Sequence, residues 1–281
     1  MITTLNNIAT QNHFQLQGAS PLSGGDINQV FLLNCTEGKF VVKLNEASKF
    51  PDMFTVEAKG LELLNSSDSF KIPKVIAEGT VENNSYLLLE YIPSGNPNNH
   101  FWESFVQKLA KLHKTTNPTF GLDHNNYIGR LPQYNGSYIS ASKFYISQRI
   151  EPQLRMASSN GFHFSKVDTF FKNISEEIPL EVPALIHGDL WKGNYLVSEK
   201  GNPVLIDPAV AFAPREMDLG MMQLFGGFPP KVFSEYHNHF PLFENWEERV
   251  SIWQLYYLLV HLNLFGKSYL GQVTDIIKRY S

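Results

Sequence analysis

The sequence predicts an α+β protein of two lobes, a small antiparallel sheet followed by a larger, mostly helical part. Short apolar segments, several alternating with a period of two residues, dominate the N-terminal third of the chain. Apolar residues at helical spacing dominate after residue 101. The turn-rich segment Ile-Pro-Ser-Gly-Asn-Pro-Asn-Asn at 92–99 separates the two. We therefore expect an N-lobe over 1–92 and a C-lobe over 93–281, with the active site in the cleft between them.

The pattern of the N-lobe predicts a sheet that carries one helix. Its predicted strands are 14–17, 29–33, 39–44, 74–78 and 86–91. Glu37-Gly38 predicts a hairpin turn between the second and third of them. Apolar positions 54, 58, 61 and 64 recur at helical spacing, and Asp52 is placed to cap that helix.

Helical patterns dominate the C-lobe, interrupted by two short apolar strands. The predicted helices are 102–114, 141–160, 167–178, 216–224 and 244–265. The predicted strands are 184–186 and 204–206.

Composition and charge exclude several classes of function. The 281 residues are 43% hydrophobic and 18% charged, which is ordinary for a globular protein and too apolar for disorder. A net charge of −4 favours neither nucleic-acid nor membrane binding. Cys35, the single cysteine, cannot form an intramolecular disulfide, which fits a reducing compartment. Because the N-terminus lacks a signal-peptide pattern, we expect a cytoplasmic protein.

The strongest functional signal is a pair of apolar strands, each followed by polar side chains. Asp189 and Asn194 lie five residues apart after the first strand, and Asp207 ends the second. Phosphoryl transfer needs a carboxylate to accept the proton of the nucleophile, and oxygen ligands for Mg²⁺ on the nucleotide phosphates. This arrangement supplies both, although Asp189 and Asn194 could instead cap turns. We interpret His187 as a loop residue bonded to backbone, and Gly188 as a residue that permits a tight bend.

The N-lobe carries residues suited to nucleotide phosphates. The loop that contains Gly24, Gly25 and Asn28 lies between two predicted strands and could fold over phosphates through its N–H groups, or be a plain turn. Lys43 ends the next strand. We expect it to face the cleft and bind phosphates, although a lysine in that position is commonly solvated.

A helix residue and a hinge complete the predicted nucleotide site. Glu57 is placed to pair with Lys43, and Glu62, on a different face of the same helix, is the alternative. The predicted strand 86–91 runs through Glu90 and Tyr91 into the linker at Ile92. We therefore predict that the backbone of Glu90 and Ile92, on either side of Tyr91, forms a hinge that hydrogen-bonds adenine.

The order of these motifs resembles the protein-kinase-like fold. In that fold a Gly-rich loop, a strand lysine paired with a helix glutamate, a hinge and a catalytic Asp-x-x-x-x-Asn loop follow one another. The His-Gly-Asp sequence at 187–189 is similar to the aminoglycoside phosphotransferase and choline kinase branch, because a protein kinase would carry His-Arg-Asp, Asp-Phe-Gly and Ala-Pro-Glu.

Within that branch the chain resembles the fructosamine kinase (ketosamine 3-kinase) family, and the resemblance runs from about Ile8 to Tyr280. Several short motifs carry it. They are Trp191 in His-Gly-Asp-Leu-Trp-x-Gly-Asn, Ile-Asp-Pro-Ala-Val at 206–210, Arg-Glu-x-Asp-Leu at 215–219, Phe-Gly at 120–121, Asn-Tyr-Ile-Gly at 126–129 and Pro-Gln-Tyr-Asn at 132–135, and the loop 24–28 and the segment 149–154 are also similar.

The resemblance implies ATP- and Mg²⁺-dependent phosphorylation of a ketosamine at its 3-hydroxyl, and hence deglycation of proteins or small amines. It implies that Asp189 deprotonates the hydroxyl, that Asn194 and Asp207 hold Mg²⁺ and that Lys43 holds phosphates. Some members carry a cysteine in the Gly-rich loop that is implicated in redox-controlled dimerisation. Here Cys35 lies in the following strand, so we expect no such switch and a monomer or weak dimer.

Residues that contact the acceptor are harder to assign. Trp191 could stack on a sugar ring, or pack in the core of the C-lobe. Asn126, Tyr127 and Arg130 are expected to shape the acceptor pocket, without individual roles. Asp218 is expected to support the catalytic loop from its helix.

Two other functions stay open. One is a kinase of another small hydroxyl compound, such as an aminoglycoside or choline, although 209–214 carries no acidic cluster for a cationic acceptor. The other is a pseudokinase that binds nucleotide without catalysis, although the expected base, metal ligands and lysine are all present.

Overall fold

The computed structural model describes residues 1–22 and 28–281, so the predicted loop glycines Gly24 and Gly25 lie outside the described residues. The chain packs as two compact units. The first comprises Met1–Ser104 and Gly193–Pro208, and the second comprises Phe105–Lys192 and Ala209–Ser281. Residues 93–104 and 193–208 thus pack with the N-terminal sheet, and the predicted lobe boundary at residue 92 stays a prediction.

The first unit is built on a five-stranded antiparallel sheet of order β1-β2-β3-β5-β4. Its strands are β1 (Leu16–Pro21), β2 (Gln29–Cys35), β3 (Gly38–Glu46), β4 (Val75–Val81) and β5 (Asn84–Glu90). Cys35 pairs with Gly38 across a tight β2–β3 connection, which confirms the predicted hairpin. A separate hairpin joins β9 (Tyr195–Val197) to β10 (Pro203–Leu205).

Two helices complete the first unit. Helix α1 (Ile2–Gln11), which the sequence analysis did not predict, buries Leu5 and Ile8 against the sheet residues Val42 and Leu44. Helix α2 (Met53–Ser66) packs on β4 and β5. The predicted capping role of Asp52 is wrong. Asp52 occupies the N-cap position, but it has a left-handed φ of 56° and its side chain makes no capping hydrogen bond.

The second unit is mainly helical. Helix α3 (Phe101–His113) begins in the residue range of the first unit and continues in that of the second. The other elements of the second unit are β6 (Asn126–Ile128), β7 (Leu131–Gln133), α4 (Ala141–Phe144), a π-helical turn (Tyr145–Ile150), α5 (Glu151–Ser159), α6 (Val167–Glu177), β8 (Ala184–Ile186), β11 (Ala211–Ala213), α7 (Glu216–Phe225), α8 (Lys231–His239), α9 (Trp246–Phe265) and α10 (Leu270–Arg279).

Helix α9 lies at the centre of the second unit. Most of its residues are buried, including Trp253, Tyr256 and Leu259, and α5, α7 and α10 pack around it. The predicted helix 141–160 is present with a π-helical turn in its middle, while α8 and α10 were not predicted. Strands β8 and β11 pair antiparallel and border residues 187–210, which include Asp189, Asn194 and Asp207.

The predicted α+β class, with an antiparallel sheet first and a mainly helical part after it, is confirmed. Within the described part of the chain, the helices are too short or too polar to cross a membrane.

Candidate active site

Lys43 lies buried on β3, the central strand of the sheet. The prediction that it ends the strand is wrong, because β3 continues to Glu46. Val42 and Leu44 point into the core that α1 covers. Because successive strand side chains point to opposite faces, Lys43 points to the other face. There its Nζ lies 2.6 Å from Oε1 of Glu57 and 3.2 Å from Oδ1 of Asp207, all within the first unit. The alternative of a solvated lysine is therefore wrong, since Lys43 is only 5% exposed.

The three charges favour an ionised Lys43. Burial alone would lower the pKa of this ammonium, but the carboxylates of Asp207 and Glu57 outweigh burial, and the pKa of Lys43 lies above its ordinary value. The predicted ion pair with Glu57 is confirmed, whereas the alternative partner, Glu62, is exposed. The first unit thus holds a buried, permanently charged cation.

Asp207 and Asn194 lie together in the same unit. The Asn194 side-chain N–H donates to the Asp207 carbonyl over 3.4 Å, and the Ile206 N–H donates to the Asn194 carbonyl over 3.0 Å. Asp207 has a left-handed φ of 55°, a conformation that aspartate tolerates better than most residues and that is common at functional sites. Its side chain is 36% exposed although it contacts Lys43.

These side chains fit Mg²⁺ as an ion bound partly by substrate. Asp207 and Asn194 carry the oxygen donors that Mg²⁺ prefers. In residues 1–22 and 28–281, no group of three or more His, Cys, Asp or Glu side chains could form a metal site by itself. One carboxylate and one amide suit a cation that also takes ligands from phosphates.

The loop that carries Asp189 belongs to the second unit and begins after β8. Gly188 has a φ of 81°, and a Cβ added to it would lie 2.0 Å from the Ala209 carbonyl oxygen, so only glycine is accommodated there. His187 is fully buried; its Nδ1 accepts the Asp189 N–H, and its carbonyl accepts the Ala209 N–H over 2.9 Å. The structural interpretation of His187 and Gly188 is confirmed.

Asp218, on the first turn of α7, holds this loop through its backbone. Its Oδ2 accepts the His187 N–H and its Oδ1 accepts the Gly188 N–H, each over 2.8 Å. Its Oδ2 also lies 3.1 Å from His113 Nε2, and His113 Nδ1 lies 2.7 Å from the Tyr236 hydroxyl. Burial lowers the pKa of His113, so the imidazole is neutral and donates its one proton to Asp218. The predicted supporting role of Asp218 is confirmed.

The predicted hinge and loop residues also lie in the first unit. The Glu90 N–H donates to the Lys74 carbonyl over 2.9 Å, so this N–H is engaged within the protein. The Glu90 carboxylate pairs with Lys71 at 2.6 Å. Ile92 is buried, and the Tyr91 ring lies 5.9 Å from Lys39 Nζ. Asn28 accepts a hydrogen bond from the Asn45 side chain over 3.3 Å. Their nucleotide contacts stay predictions.

The predicted acceptor residues fall into different environments of the second unit. Trp191 is 39% exposed, so the alternative that it packs in the core is wrong. Arg130 is exposed and Tyr127 half-buried. Asn126 is buried, and its amide is engaged by protein groups: its N–H donates to the Val210 carbonyl and its Oδ1 accepts from Gln133. The contact of these residues with an acceptor stays a prediction.

Several polar residues that contribute to the candidate site have no predicted role. His113, Gln133 and Arg149 are buried, and they hydrogen-bond to groups 105, 76 and 14 residues away in the chain. The sequence signal for Gln133 is its place in the Pro-Gln-Tyr-Asn motif. The partner of Gln133, the Ala209 carbonyl, lies 76 residues away in the chain, so no local pattern could identify this hydrogen bond.

A sequence profile of the fructosamine kinase family matches residues 1–281. The chain belongs to this family. It is 36% identical over 272 residues to a probable ketoamine kinase of Vibrio parahaemolyticus, covering 95% of this chain and 93% of that protein. It is 35% identical over 273 residues to a probable ketoamine kinase of Synechocystis sp., covering 96% and 92%.

Solved structures agree with this membership. A Haemophilus somnus protein, provisionally described as a fructosamine-3-kinase, superposes with a TM-score of 0.90 at 27% identity, covering 100% of this chain and 97% of that one. An aminoglycoside phosphotransferase superposes with a TM-score of 0.64 at 14% identity over 100% of both chains, which shows a shared fold. The predicted protein-kinase-like fold is confirmed, and this member of the fructosamine kinase family is a kinase.

Proposed function

We propose that this kinase uses ATP and Mg²⁺ to phosphorylate the 3-hydroxyl of a ketosamine, the adduct that a sugar forms with an amine. The observation that carries the proposal is the buried ammonium of Lys43 between Glu57 and Asp207, in a chain whose relatives are described as ketoamine kinases. A buried cation with an elevated pKa keeps its charge at neutral pH and is suited to bind phosphate oxygens.

Lys43 and Glu57 form the phosphate-binding part of the proposed site. Glu57 holds the ammonium in one position, so that the charge is preorganised before a nucleotide binds. Asn194 and Asp207 would hold Mg²⁺ through their side-chain oxygens. When bound, Mg²⁺ would neutralise charge on the phosphates during transfer.

Asp189 is the proposed general base, which accepts the proton of the sugar hydroxyl as that oxygen attacks the terminal phosphorus of ATP and the bond from that phosphorus to ADP breaks, releasing ADP. The N–H groups of His187 and Gly188 bind the Asp218 carboxylate, so the backbone that carries Asp189 is held in place. Holding a base at the reacting hydroxyl lowers the entropic cost of reaction. Trp191, two residues further along and exposed, offers a flat apolar face to the C–H side of a sugar.

The proposed biological consequence is deglycation, because a phosphate on the sugar destabilises the adduct and releases the amine. The acceptor is a small-molecule or protein-bound ketosamine. We further propose a cytoplasmic enzyme that acts as a monomer or weak dimer without nucleic-acid or membrane partners.

The test is phosphorylation of defined acceptors. Purified protein is incubated with Mg-ATP and, separately, a fructosyl-amine, a ribulosyl-amine, an aminoglycoside and choline, and products are detected by mass spectrometry. We expect phosphate on the two ketosamines alone, located on the 3-hydroxyl by NMR. Phosphate only on the aminoglycoside or choline would overturn the acceptor class. Binding of ATP without any product would favour a pseudokinase.

A further inference from the structure

Three buried amide side chains form a connected cluster inside the second unit. This amide cluster consists of Asn126, Gln133 and Asn135, which are 6%, 2% and 1% exposed. The Gln133 side-chain N–H group donates to Asn126 Oδ1 over 2.9 Å, and the Asn135 side chain donates to the same oxygen over 2.9 Å. Buried amides of this kind are tolerated only when their polar atoms are satisfied, so the cluster has a defined orientation.

The amide cluster binds two consecutive backbone carbonyls. Gln133 Nε2 donates to the Ala209 carbonyl over 3.0 Å, and Asn126 Nδ2 donates to the Val210 carbonyl over 2.9 Å. These carbonyls follow Asp207 and Pro208 directly in the chain. The cluster therefore fixes the start of the segment that leaves Asp207.

Ala209 also contacts the catalytic loop. Its N–H donates to the His187 carbonyl over 2.9 Å, and its carbonyl oxygen occupies the space where any side chain on Gly188 would lie. Ala209, whose carbonyl Gln133 binds, thus contacts both residues that precede Asp189: its N–H donates to the His187 carbonyl and its carbonyl oxygen packs against Gly188. A displacement of the Ala209 carbonyl would displace the loop, because Ala209 is hydrogen-bonded to His187 and its carbonyl oxygen packs closely against Gly188.

Outer partners prevent the Gln133 amide from turning over. The Tyr256 hydroxyl donates to Gln133 Oε1 over 2.8 Å. Exchanging the amide oxygen and nitrogen would set the oxygen against two acceptors, the Ala209 carbonyl and Asn126 Oδ1. At the other end of the cluster, Arg149 Nη2 donates to Asn135 Oδ1 over 2.8 Å. Arg149 is buried and lies over the Phe144 ring at 4.7 Å, so this donor is fixed as well.

We propose that Gln133 is a positioning residue of the kinase, which acts through the Ala209 carbonyl to hold the backbone of the loop that carries Asp189. The inference rests on the proposed function, in which Asp189 is the base. Gln133 does not contact the acceptor in this role. Its loss lowers the rate of phosphoryl transfer and leaves the apparent affinity for the acceptor unchanged.

The test compares Gln133→Met with a matched control, Gln153→Met. Gln153 is also a buried amide of the second unit, 2% exposed, but its side-chain oxygen accepts from Asn263 on α9. For Gln133→Met we expect kcat to fall by about ten- to a hundredfold with KM for the acceptor within about twofold, as for loss of a supporting group around a reacting one. Gln153→Met should keep the wild-type kcat.

Hydrogen exchange supplies a readout that needs no acceptor. We expect faster amide exchange in peptides that contain residues 187–189 and 209 for Gln133→Met, and wild-type exchange there for Gln153→Met. Wild-type protein without any kinase activity would overturn the proposed function, while the exchange result still decides the positioning contact. Equal effects of the two substitutions, or unchanged exchange and kcat in Gln133→Met, would overturn the inference.

A milder variant serves if Gln133→Met does not fold. Tyr256→Phe keeps the ring and removes only the hydroxyl that orients Gln133. We expect kcat to fall in the same direction by a smaller factor, with faster exchange at the same peptides. A wild-type kcat and wild-type exchange in Tyr256→Phe would contradict the proposal.

Discussion

Lys43 in the first unit and the Asp189 loop in the second are held by different forces. Lys43 is a charged side chain held directly by two opposite charges, Glu57 and Asp207. The loop is held through its backbone, whose N–H and carbonyl groups bind Asp218 and Ala209. In the first unit the supporting contacts act on the functional atom itself, whereas in the second they act on the peptide units beside it.

The difference predicts different responses to substitution. A buried ion pair is costly to break, because the remaining charge is left in a poorly solvated position. A single backbone hydrogen bond contributes less free energy, but its loss changes geometry. Changes in the first unit should therefore affect stability and nucleotide binding together, and changes around the loop should affect the rate most.

Removal of the proposed base gives the largest expected effect. Asp189→Asn keeps the size of the side chain but cannot accept the hydroxyl proton, so we expect kcat to fall by about 10²- to 10⁴-fold. Affinity for Mg-ATP, measured by calorimetry, should stay close to wild type, since the first unit is unchanged. A near-wild-type rate would show that Asp189 is not the base.

Removal of the buried cation should affect stability and binding together. Lys43→Met leaves Glu57 and Asp207 without their shared partner, and we expect the free energy of unfolding to fall by about 3–5 kcal/mol. Mg-ATP affinity should fall as well. The control is Lys49→Met, which breaks an exposed pair with Glu46 and should leave urea unfolding unchanged. Similar curves for both variants would mean that the Lys43 contacts contribute no more than a surface pair.

A methyl group on Gly188 tests the backbone support of the loop. Gly188→Ala adds both a strained left-handed φ and a clash with the Ala209 carbonyl, so we expect a loss of about 1–3 kcal/mol of stability and a lower kcat. Gly161→Ala separates these causes, because Gly161 has a φ of 86° and nothing within 4 Å of an added Cβ. Gly161→Ala should show a lower free energy of unfolding in urea and an unchanged kcat. A normal rate in Gly188→Ala would contradict the importance of this packing.

Titration of Glu181 is expected to give the smallest effect, a modest dependence of stability on pH. Burial raises the pKa of Glu181 to about 7, although Arg215, whose Nε lies 3.2 Å from Glu181 Oε2, opposes the shift. Because the folded state binds the proton more tightly than the unfolded state, the contribution of Glu181 to stability is fully present at acidic pH, below its unfolded pKa, and is lost as pH rises through 7.

Between pH 6 and pH 8 this amounts to roughly 1 kcal/mol. Urea unfolding across that range should show the loss in wild type and a flatter profile in Glu181→Gln. The slope is the readout, because Glu181→Gln also leaves the buried Arg215 without its anion. Parallel profiles would exclude Glu181 as the titrating group.

Local patterns were sufficient for much of this fold and for part of the candidate site. The apolar residues Val41 and Val42 before Lys43 indicated a strand, and helical spacing placed Glu57 and Glu62 on different faces. Gly188 before Asp189 indicated a tight bend. Each of these inferences uses residues a few positions apart, where the period of a strand or helix or the steric freedom of glycine decides the outcome.

Other features depended on contacts between distant residues. Helix α1 has weak helix formers such as Thr3, Thr4 and Asn6, and burial of Leu5 and Ile8 on the sheet stabilises it. The sequence also left open whether Trp191 is buried or exposed. The structure shows it exposed.

By itself, the sequence determined the α+β class, the charged residues of the candidate site and the family resemblance, because periodicity and motif spacing are local properties of the chain. Only the tertiary structure decided which groups hold those residues. Gln133 reaches Ala209 and His113 reaches Asp218 across 76 and 105 residues. Buried amides and imidazoles bind whatever backbone or carboxylate the packing brings to them, and no spacing in the sequence specifies that partner.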